Sequence, residues 1–154
     1  MMRTGPTTGG TRRARRRGTA AMEFGLAIPF LLILLVGTVE IGFATYEAMQ
    51  VYNSAEAGAL YAAKNGFDAT AISGAVVSAT SLSGITASPA PAQFCGCPSA
   101  SGVVTATCGA TCSSGGTAGT YVRVSAAYTH TTILSYPTFG LPTTLTAQSV
   151  VRIN

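Results

Sequence analysis

The chain has few charged side chains, one histidine and no tryptophan. Asp, Glu, Lys and Arg together make up 9% of its 154 residues, whereas about a quarter of a soluble domain is usually charged. A surface this poor in charge would be weakly hydrated in free solution. The composition therefore favours a protein that lies in a membrane or in an assembly over a free cytosolic protein.

The shortage of acids and of histidine also argues against an enzyme. Four of the five acids are glutamates on one predicted helix, the fifth is Asp68, and His130 stands between threonines. A Ser/His/Asp triad requires three such groups to converge, and a lone histidine in this setting is more often structural or solvated. The sequence has no glycine-rich phosphate loop either. We expect no catalytic residue, no cofactor, no metal and no small-molecule substrate.

Positive charge is concentrated at the N-terminus. Six arginines and no acid precede residue 19, whereas five acids outnumber three basic residues after it. The arginines stand in a Gly- and Thr-rich tail with too few apolar residues to fold by itself, unlike the basic face of a folded nucleic-acid-binding domain. We therefore expect no nucleic-acid partner. Five of these arginines form a cluster that we expect to set membrane topology: Arg12, Arg13, Arg15, Arg16 and Arg17.

An apolar run from Phe24 to Thr45 follows this cluster and has a single charge, Glu40. A helix of this length spans about 33 Å, and the hydrocarbon core of a bilayer is about 30 Å thick. The run therefore predicts one transmembrane segment within residues 19–45. Arginines that flank such a segment are retained in the cytoplasm, so we expect everything after about Tyr46 to be exported.

A cleavable secretory signal peptide is the alternative interpretation of the same run. Gly42-Phe43-Ala44 has the small-x-small pattern that a signal peptidase cuts. Against this alternative, the run is longer than the about 7–15 apolar residues usual in a signal peptide, and the charge of Glu40 would lie just before the cut. In the membrane interpretation Glu40 either leans toward water or contacts another subunit, and the sequence leaves both open.

The helical pattern continues beyond the membrane segment. Small residues recur at alternating spacings of four and three and form a seam suited to close packing, and Asn65-Gly66 is a typical helix end. One helix from about Ala21 to Asn65 is predicted. The seam consists of Ala44, Ala48, Val51, Ala55, Gly58 and Ala62.

The C-terminal part predicts a small domain with an antiparallel sheet. Its patterns predict a short helix over Ala69–Thr80 and strands over Val103–Thr107, Thr120–Leu134 and Thr144–Ile153, with Ser83–Pro98 as a loop that has a short extended piece. The expected fold class is α+β, with a long N-terminal transmembrane helix that continues into a small exported domain with a three- to four-stranded antiparallel sheet.

Four cysteines lie in the loop-rich part of this domain: Cys95, Cys97, Cys108 and Cys112. In an exported domain the oxidising compartment favours disulfides. A bond between Cys95 and Cys97 would close a very tight ring, so pairing of these two with Cys108 and Cys112 is favoured, and both such pairings stay open. A zinc site is the alternative, but C-x-C and C-x3-C are not usual zinc spacings and no histidine lies nearby.

The junction between the basic tail and the apolar run carries the most specific pattern in the chain. A basic stretch ends at Gly18, and Thr19, Glu23 and Phe24 then introduce the apolar run in the order RRRGTAAMEFG. This junction resembles the processing site of type IV prepilins, and the chain is most similar to the TadE-like family of minor pseudopilins in tight-adherence (Flp) pilus systems. The stretch YNSAEAGALYAAKNG, from Tyr52 to Gly66, is similar to the same family.

The resemblance implies a function and a set of partners. A membrane aspartyl prepilin peptidase would cut after Gly18, so that Thr19 gains a new α-amino group and Glu23 pairs with that amine or with the amine of a neighbouring subunit. The alternative for Glu23 is a carboxylate that only marks the membrane boundary. Further implied partners are other pilins or pseudopilins, an assembly ATPase and the pilus assembly platform.

The expected organisation has four parts. Residues 1–18 form a basic leader that is cleaved, 19–45 the transmembrane segment, 46–66 the exported continuation of the helix, and 67–154 a small disulfide-containing α+β domain with a pilin-like architecture. The protein would cross the inner membrane once, with its N-terminus in the cytoplasm and its C-terminal domain in the periplasm or outside the cell. Whether the protein enters the filament is left open. The alternative function is a single-pass membrane-anchored exported binding domain that is not part of a pilus.

Overall fold

The computed structural model describes residues 11–132 and 143–153, with side chains from Thr19 onward. It has two helices and four strands in this part of the chain. Residues up to Ile41 and residues from Gly42 form two separate compact units, which are described in turn. The elements are α1 (Thr11–Asn65), α2 (Ala69–Ser78), β1 (Ala92–Ser99), β2 (Gly102–Thr105), β3 (Gly119–Thr129) and β4 (Thr144–Ile153).

Helix α1 begins earlier than the sequence predicts and ends where it predicts. It starts at Thr11 rather than at about Ala21, so residues 11–18 of the basic tail continue the apolar helix toward the N-terminus. Arginine and alanine are good helix formers, and the apolar helix that follows provides a nucleus from which they extend. At the other end, Gly66 has a φ of +84° and donates its N–H to the carbonyl of Ala62, as a helix-terminating glycine does.

The apolar part of α1 in the first unit is almost entirely exposed. Its most apolar window has a mean hydropathy of 2.3 and is only 6% buried. The side chains of Phe30, Leu34 and Leu35 are all more than half exposed. A core helix of a soluble domain would bury such side chains, so α1 is consistent with a single-pass membrane anchor.

The second unit has one core, to which both helices and the sheet contribute. From α1 come Val51, Ala55 and Ala62, which pack with Ile72 of α2 and with Val124 of β3. The predicted seam is therefore confirmed as an intramolecular packing surface between Val51 and Ala62. Small residues on α1 allow this close approach.

Helix α2 begins immediately after a capping residue. Asp68 has an extended backbone, and its carboxylate accepts hydrogen bonds from the N–H groups of Thr70 and Ala71 at 2.9 and 3.0 Å. An aspartate at this position satisfies donors that the first turn of a helix leaves unpaired. The short helix is confirmed, and it ends at Ser78 rather than Thr80.

The sheet is antiparallel throughout, with strand order β2-β1-β3-β4. Strand β4 has the predicted bounds. Strand β3 ends at Thr129 rather than at Leu134, because residues 130–132 are not in a strand, and residues 133 and 134 lie outside the described part. Strand β1 lies where a loop with a short extended piece was predicted, because its sequence AQFCGCPS contains Gly, Pro and two Cys, which are poor strand signals.

Candidate functional site

The predicted processing junction lies on α1. Thr19, Glu23 and Phe24 are exposed, Phe24 by 64% of its surface. Because Thr19 and Glu23 are four residues apart on a helix, they lie on the same face. The backbone of Gly18 is helical, and the side chains of the arginine cluster, Arg12, Arg13, Arg15, Arg16 and Arg17, fall outside the described part.

The single acid of the apolar segment differs from its neighbours in exposure. Glu40 is 7% exposed, whereas Val39 and Ile41 on either side are 42% and 61% exposed. A carboxylate in a membrane segment is costly unless it is shielded or paired. Both sequence interpretations of Glu40, an approach to water and a contact with another subunit, stay predictions.

A buried polar cluster joins α1 to the sheet in the second unit. The carboxylate of Glu47 contacts Nδ1 of His130 at 2.5 Å and accepts a hydrogen bond from the hydroxyl of Tyr128 at 3.4 Å. The side chains of His130 and Glu47 are only 3% and 14% exposed. The N–H of His130 also donates to the carbonyl of Thr143 at 2.9 Å, next to the start of β4.

The electrostatics of this cluster act on the tyrosine. Burial raises the pKa of Tyr128 above its usual value of 10.0, and the neighbouring carboxylate of Glu47 raises it further, by its charge and by the hydrogen bond that it accepts. Each of these causes disfavours a phenolate. The cluster thus fixes the end of β3 on α1 through groups that are paired with one another.

This cluster is not predicted from the sequence. The sequence predicts only a structural or solvated role for His130 and no partner for it. Two positional signals were available. Glu47 lies one turn before Val51 on the packed side of α1, and His130 has the same parity as the buried Val122 and Val124, so that both point into the core.

Both disulfides predicted for the second unit are present. Cys95 bonds to Cys108 and Cys97 bonds to Cys112, so no cysteine is left to hold a metal and the zinc alternative is wrong. Two cysteines of β1 thus hold the segment of residues 106–118 against the strand. Within that segment Ala118 donates to the carbonyl of Ala110 at 2.8 Å, which closes a loop with hardly any apolar side chains.

These features define a class of protein. It is a small α+β unit with two disulfides, preceded by one helix that is long and apolar enough to cross a membrane.

The comparison with known families is more specific. The family model described as TadE-like protein matches residues 18–60. The resemblance to this family is thereby confirmed over that part of the chain, which includes the junction, the apolar segment and most of the remaining turns of α1. No curated protein and no solved structure matches the chain. The TadE-like family suggests a structural role in the tight-adherence pilus system rather than an enzymatic one.

Proposed function

We propose that the protein is a minor pseudopilin-like membrane protein that takes part in assembly of a tight-adherence (Flp type IVb) pilus and is processed by a prepilin peptidase. The observation that carries the proposal is the family match, which begins at Gly18 and continues along α1 to residue 60. The matched region thus starts at the residue after which the peptidase would cut. It contains no part of the leader before this glycine.

The proposed topology rests on two independent features. The arginine cluster from Arg12 to Arg17 directly precedes the apolar segment, and such clusters remain on the cytoplasmic side. The two disulfides of the second unit are typical of proteins in oxidising compartments. Both features favour a cytoplasmic N-terminus in the inner membrane and a C-terminal unit in the periplasm or at the cell surface.

In the proposed processing step, the peptidase adds water across the peptide bond between Gly18 and Thr19. The leader leaves with the new carboxylate of Gly18, and Thr19 keeps the new α-amino group. Proteases bind extended backbone, so the helical turn at Gly18 must unwind first. Glycine is about 1 kcal/mol less favourable than alanine within a helix, and it allows the backbone to approach the protease closely.

After processing, Glu23 is the proposed partner of the new amine. It is exposed and lies one helical turn from Thr19, so it can pair with the amine of its own chain or of a neighbouring subunit. A carboxylate at the edge of the hydrocarbon gains from such a cation. The remaining proposed partners are other pilins or pseudopilins, the assembly platform and an assembly ATPase, whose ATP hydrolysis would supply the energy for assembly.

A matched pair of substitutions tests the processing step. We expect Gly18→Leu to leave a membrane-bound protein that keeps its leader, because the larger side chain blocks close approach of the backbone. Gly25→Leu is the control, since a Cβ at Gly25 meets no atom within 4 Å and the residue lies beyond the cut. A gel of membrane fractions distinguishes the two lengths. Normal trimming of Gly18→Leu would place the cut elsewhere.

A deletion strain tests the cellular role. We expect loss of surface pili when the chain is absent and their return when it is supplied in trans. A membrane-anchored binding domain outside the pilus system predicts normal piliation. Electron microscopy of surface pili, with the Gly18→Leu variant as a second complementing chain, separates the two functions.

A further inference from the structure

The chain after Asp68 has almost no charge, and what it has lies in one place. Residues 69–154 contain no acid and only two basic residues, Arg123 and Arg152. Arg123 is opposite Val150 in the β3–β4 ladder, and Arg152 is opposite Tyr121. The two arginines are therefore diagonal neighbours on one face of the sheet.

This face is the one that points away from the core. Val122, Val124 and Ala126 belong to the core that the sheet shares with α1, and side chains alternate along a strand. Arg123 and Arg152 consequently lie on the outer face of the sheet. Arg123 is half-buried and Arg152 is exposed.

A stacked pair of aromatic rings positions Arg123 on the outer face. Phe94 stacks on Tyr121 with ring centroids 5.9 Å apart, and the guanidinium carbon of Arg123 lies 4.8 Å from the centre of the Phe94 ring. The guanidinium of Arg152 lies beside Gly119, where a Cβ would come within 3.0 Å of its Nε. Residues 69–154 supply no side-chain carboxylate to either arginine, so an anion that reaches the exposed guanidinium of Arg152, with Arg123 on the same face, is favoured.

The second unit presents one carboxylate that its own side chains leave available. Among its acids, Glu47 contacts His130 and Asp68 caps α2, whereas Glu56 is exposed and is engaged by none of the described side chains. Glu56 lies on an exposed side of α1. Exposed apolar side chains lie one turn before and one turn after it, since Tyr52 and Leu60 are each 63% exposed.

We propose that the outer sheet face of one copy binds the outer face of α1 in a second copy, with the carboxylate of Glu56 on the exposed guanidinium of Arg152 and Arg123 on the same face. Arginine binds a carboxylate through two parallel hydrogen bonds, and the exposed Tyr52 and Leu60 supply apolar cover around the pair. The occupant is a second copy because the same chain carries both surfaces, of opposite charge and both exposed. Such a head-to-tail contact leaves one surface of each kind free for a further copy.

This inference deepens the proposed function, on which it rests, by naming a contact through which subunits would associate. The contact itself involves neither the junction at Gly18 nor the apolar segment. Its test can therefore be read independently of processing.

Zero-length cross-linking tests the geometry in the full chain. Arg152→Lys keeps the positive charge and introduces an amine that a carbodiimide couples to a nearby carboxylate. In membranes with equal amounts of isotope-labelled and unlabelled chain, we expect a mixed-label peptide that joins position 152 to Glu56. The link should be lost in Arg152→Lys combined with Glu56→Gln. Absence of the mixed-label link in the Arg152→Lys chain overturns the proposal.

Charge reversal tests the energetics of the same contact. We expect Glu56→Arg and Arg152→Glu each to weaken self-association in detergent by roughly tenfold, and the chain with both changes to recover most of the loss. Thr107→Glu, an exposed change in the disulfide loop, is the control and should leave association unchanged. Association through the apolar segments is common to all variants, so differences between them report this contact, and circular dichroism verifies that each is folded.

The outcomes separate this contact from other occupants and from the proposed function. Self-association that is unchanged in both charge-reversal variants overturns the contact. Phosphatidylglycerol vesicles and polygalacturonate represent the other anionic occupants, a lipid surface and a polysaccharide. If Arg152→Glu loses binding to either of them while its self-association stays intact, the contact is overturned as well. The N-terminus of each sample is determined in parallel. If the chain begins at Thr19 but the double charge reversal does not restore self-association, only the contact is overturned. If the double reversal restores self-association but the N-terminus is uncut, only the processing is overturned.

Discussion

Replacement of Gly58 by alanine is the most direct perturbation of the packing between α1 and the rest of the second unit. A Cβ at Gly58 would lie 2.5 Å from Cγ2 of Val76 and 2.8 Å from Cγ1 of Val124. Both valines are fully buried, and they belong to α2 and β3. A new methyl group must therefore move two elements rather than one flexible side chain.

The magnitude follows from two opposing terms. Overpacking of a well-packed core costs about 1–3 kcal/mol, and alanine gains up to about 1 kcal/mol over glycine within a helix. Because two fully buried side chains are displaced, we place the overpacking cost in the upper half of that range. The free energy of unfolding should fall by about 1–2 kcal/mol, which lowers the midpoint by about 4 °C or more for each kcal/mol in a unit of this size.

Thermal unfolding of the full chain in detergent, followed by far-ultraviolet circular dichroism, measures this shift. Gly74→Ala is the matched control, since it makes the same change within α2 at a position where a Cβ meets no atom within 4 Å. We expect Gly74→Ala to raise the midpoint and Gly58→Ala to lower it. A Gly58→Ala chain that unfolds at or above the wild-type temperature would refute the close approach of α1 to Val76 and Val124.

Two further predictions concern the polar cluster and the disulfides. Because the pKa of Tyr128 is raised in the folded state, the folded chain keeps a proton that the unfolded chain loses above pH 10. The stability that this provides is complete below about pH 10 and is lost as the pH rises further. Tyr128→Phe should therefore flatten the decline of the unfolding midpoint in strong alkali. An unchanged slope would contradict a raised pKa of Tyr128 as the source of that decline. Replacement of Cys97 and Cys112 by serine opens a loop with a sequence separation of 15 and should lower the free energy of unfolding by about 2–4 kcal/mol. Urea unfolding measures this loss, and a variant as stable as the wild type would contradict the prediction.

Much of the fold could be predicted because its signals are local. The end of α1 at Asn65 and the whole of β4 follow from a helix-terminating glycine and from alternation of side chains along a strand. The seam between Val51 and Ala62 follows from helical spacing alone. These patterns involve residues that are close together in the sequence, so no knowledge of tertiary contacts is needed to read them.

The parts that were missed depend on contacts between distant residues. Strand β1 has weak strand propensity and is held by pairing with β3 and by two disulfides, which local sequence does not encode. The polar cluster joins Glu47 to His130, which are 83 positions apart. The start of α1 was missed for a different reason, because low apolar content was given more weight than the helix propensity of arginine and alanine.

The residues of the candidate processing site could be predicted from the sequence, but their three-dimensional arrangement could not. Gly18, Thr19, Glu23 and Phe24 form a contiguous pattern, so the sequence suffices to propose a cut there. The arrangement of Arg123 and Arg152 on one sheet face, in contrast, requires the β3–β4 register.

The N-terminal residue of the membrane-extracted protein tests the central claim most directly. Intact-mass measurement and terminal sequencing of chain purified from its native host should find a protein that begins at Thr19. A chain that begins at Met1 would contradict processing, and one that begins at Thr45 would instead support a cleaved secretory signal and contradict the membrane-anchored pseudopilin account.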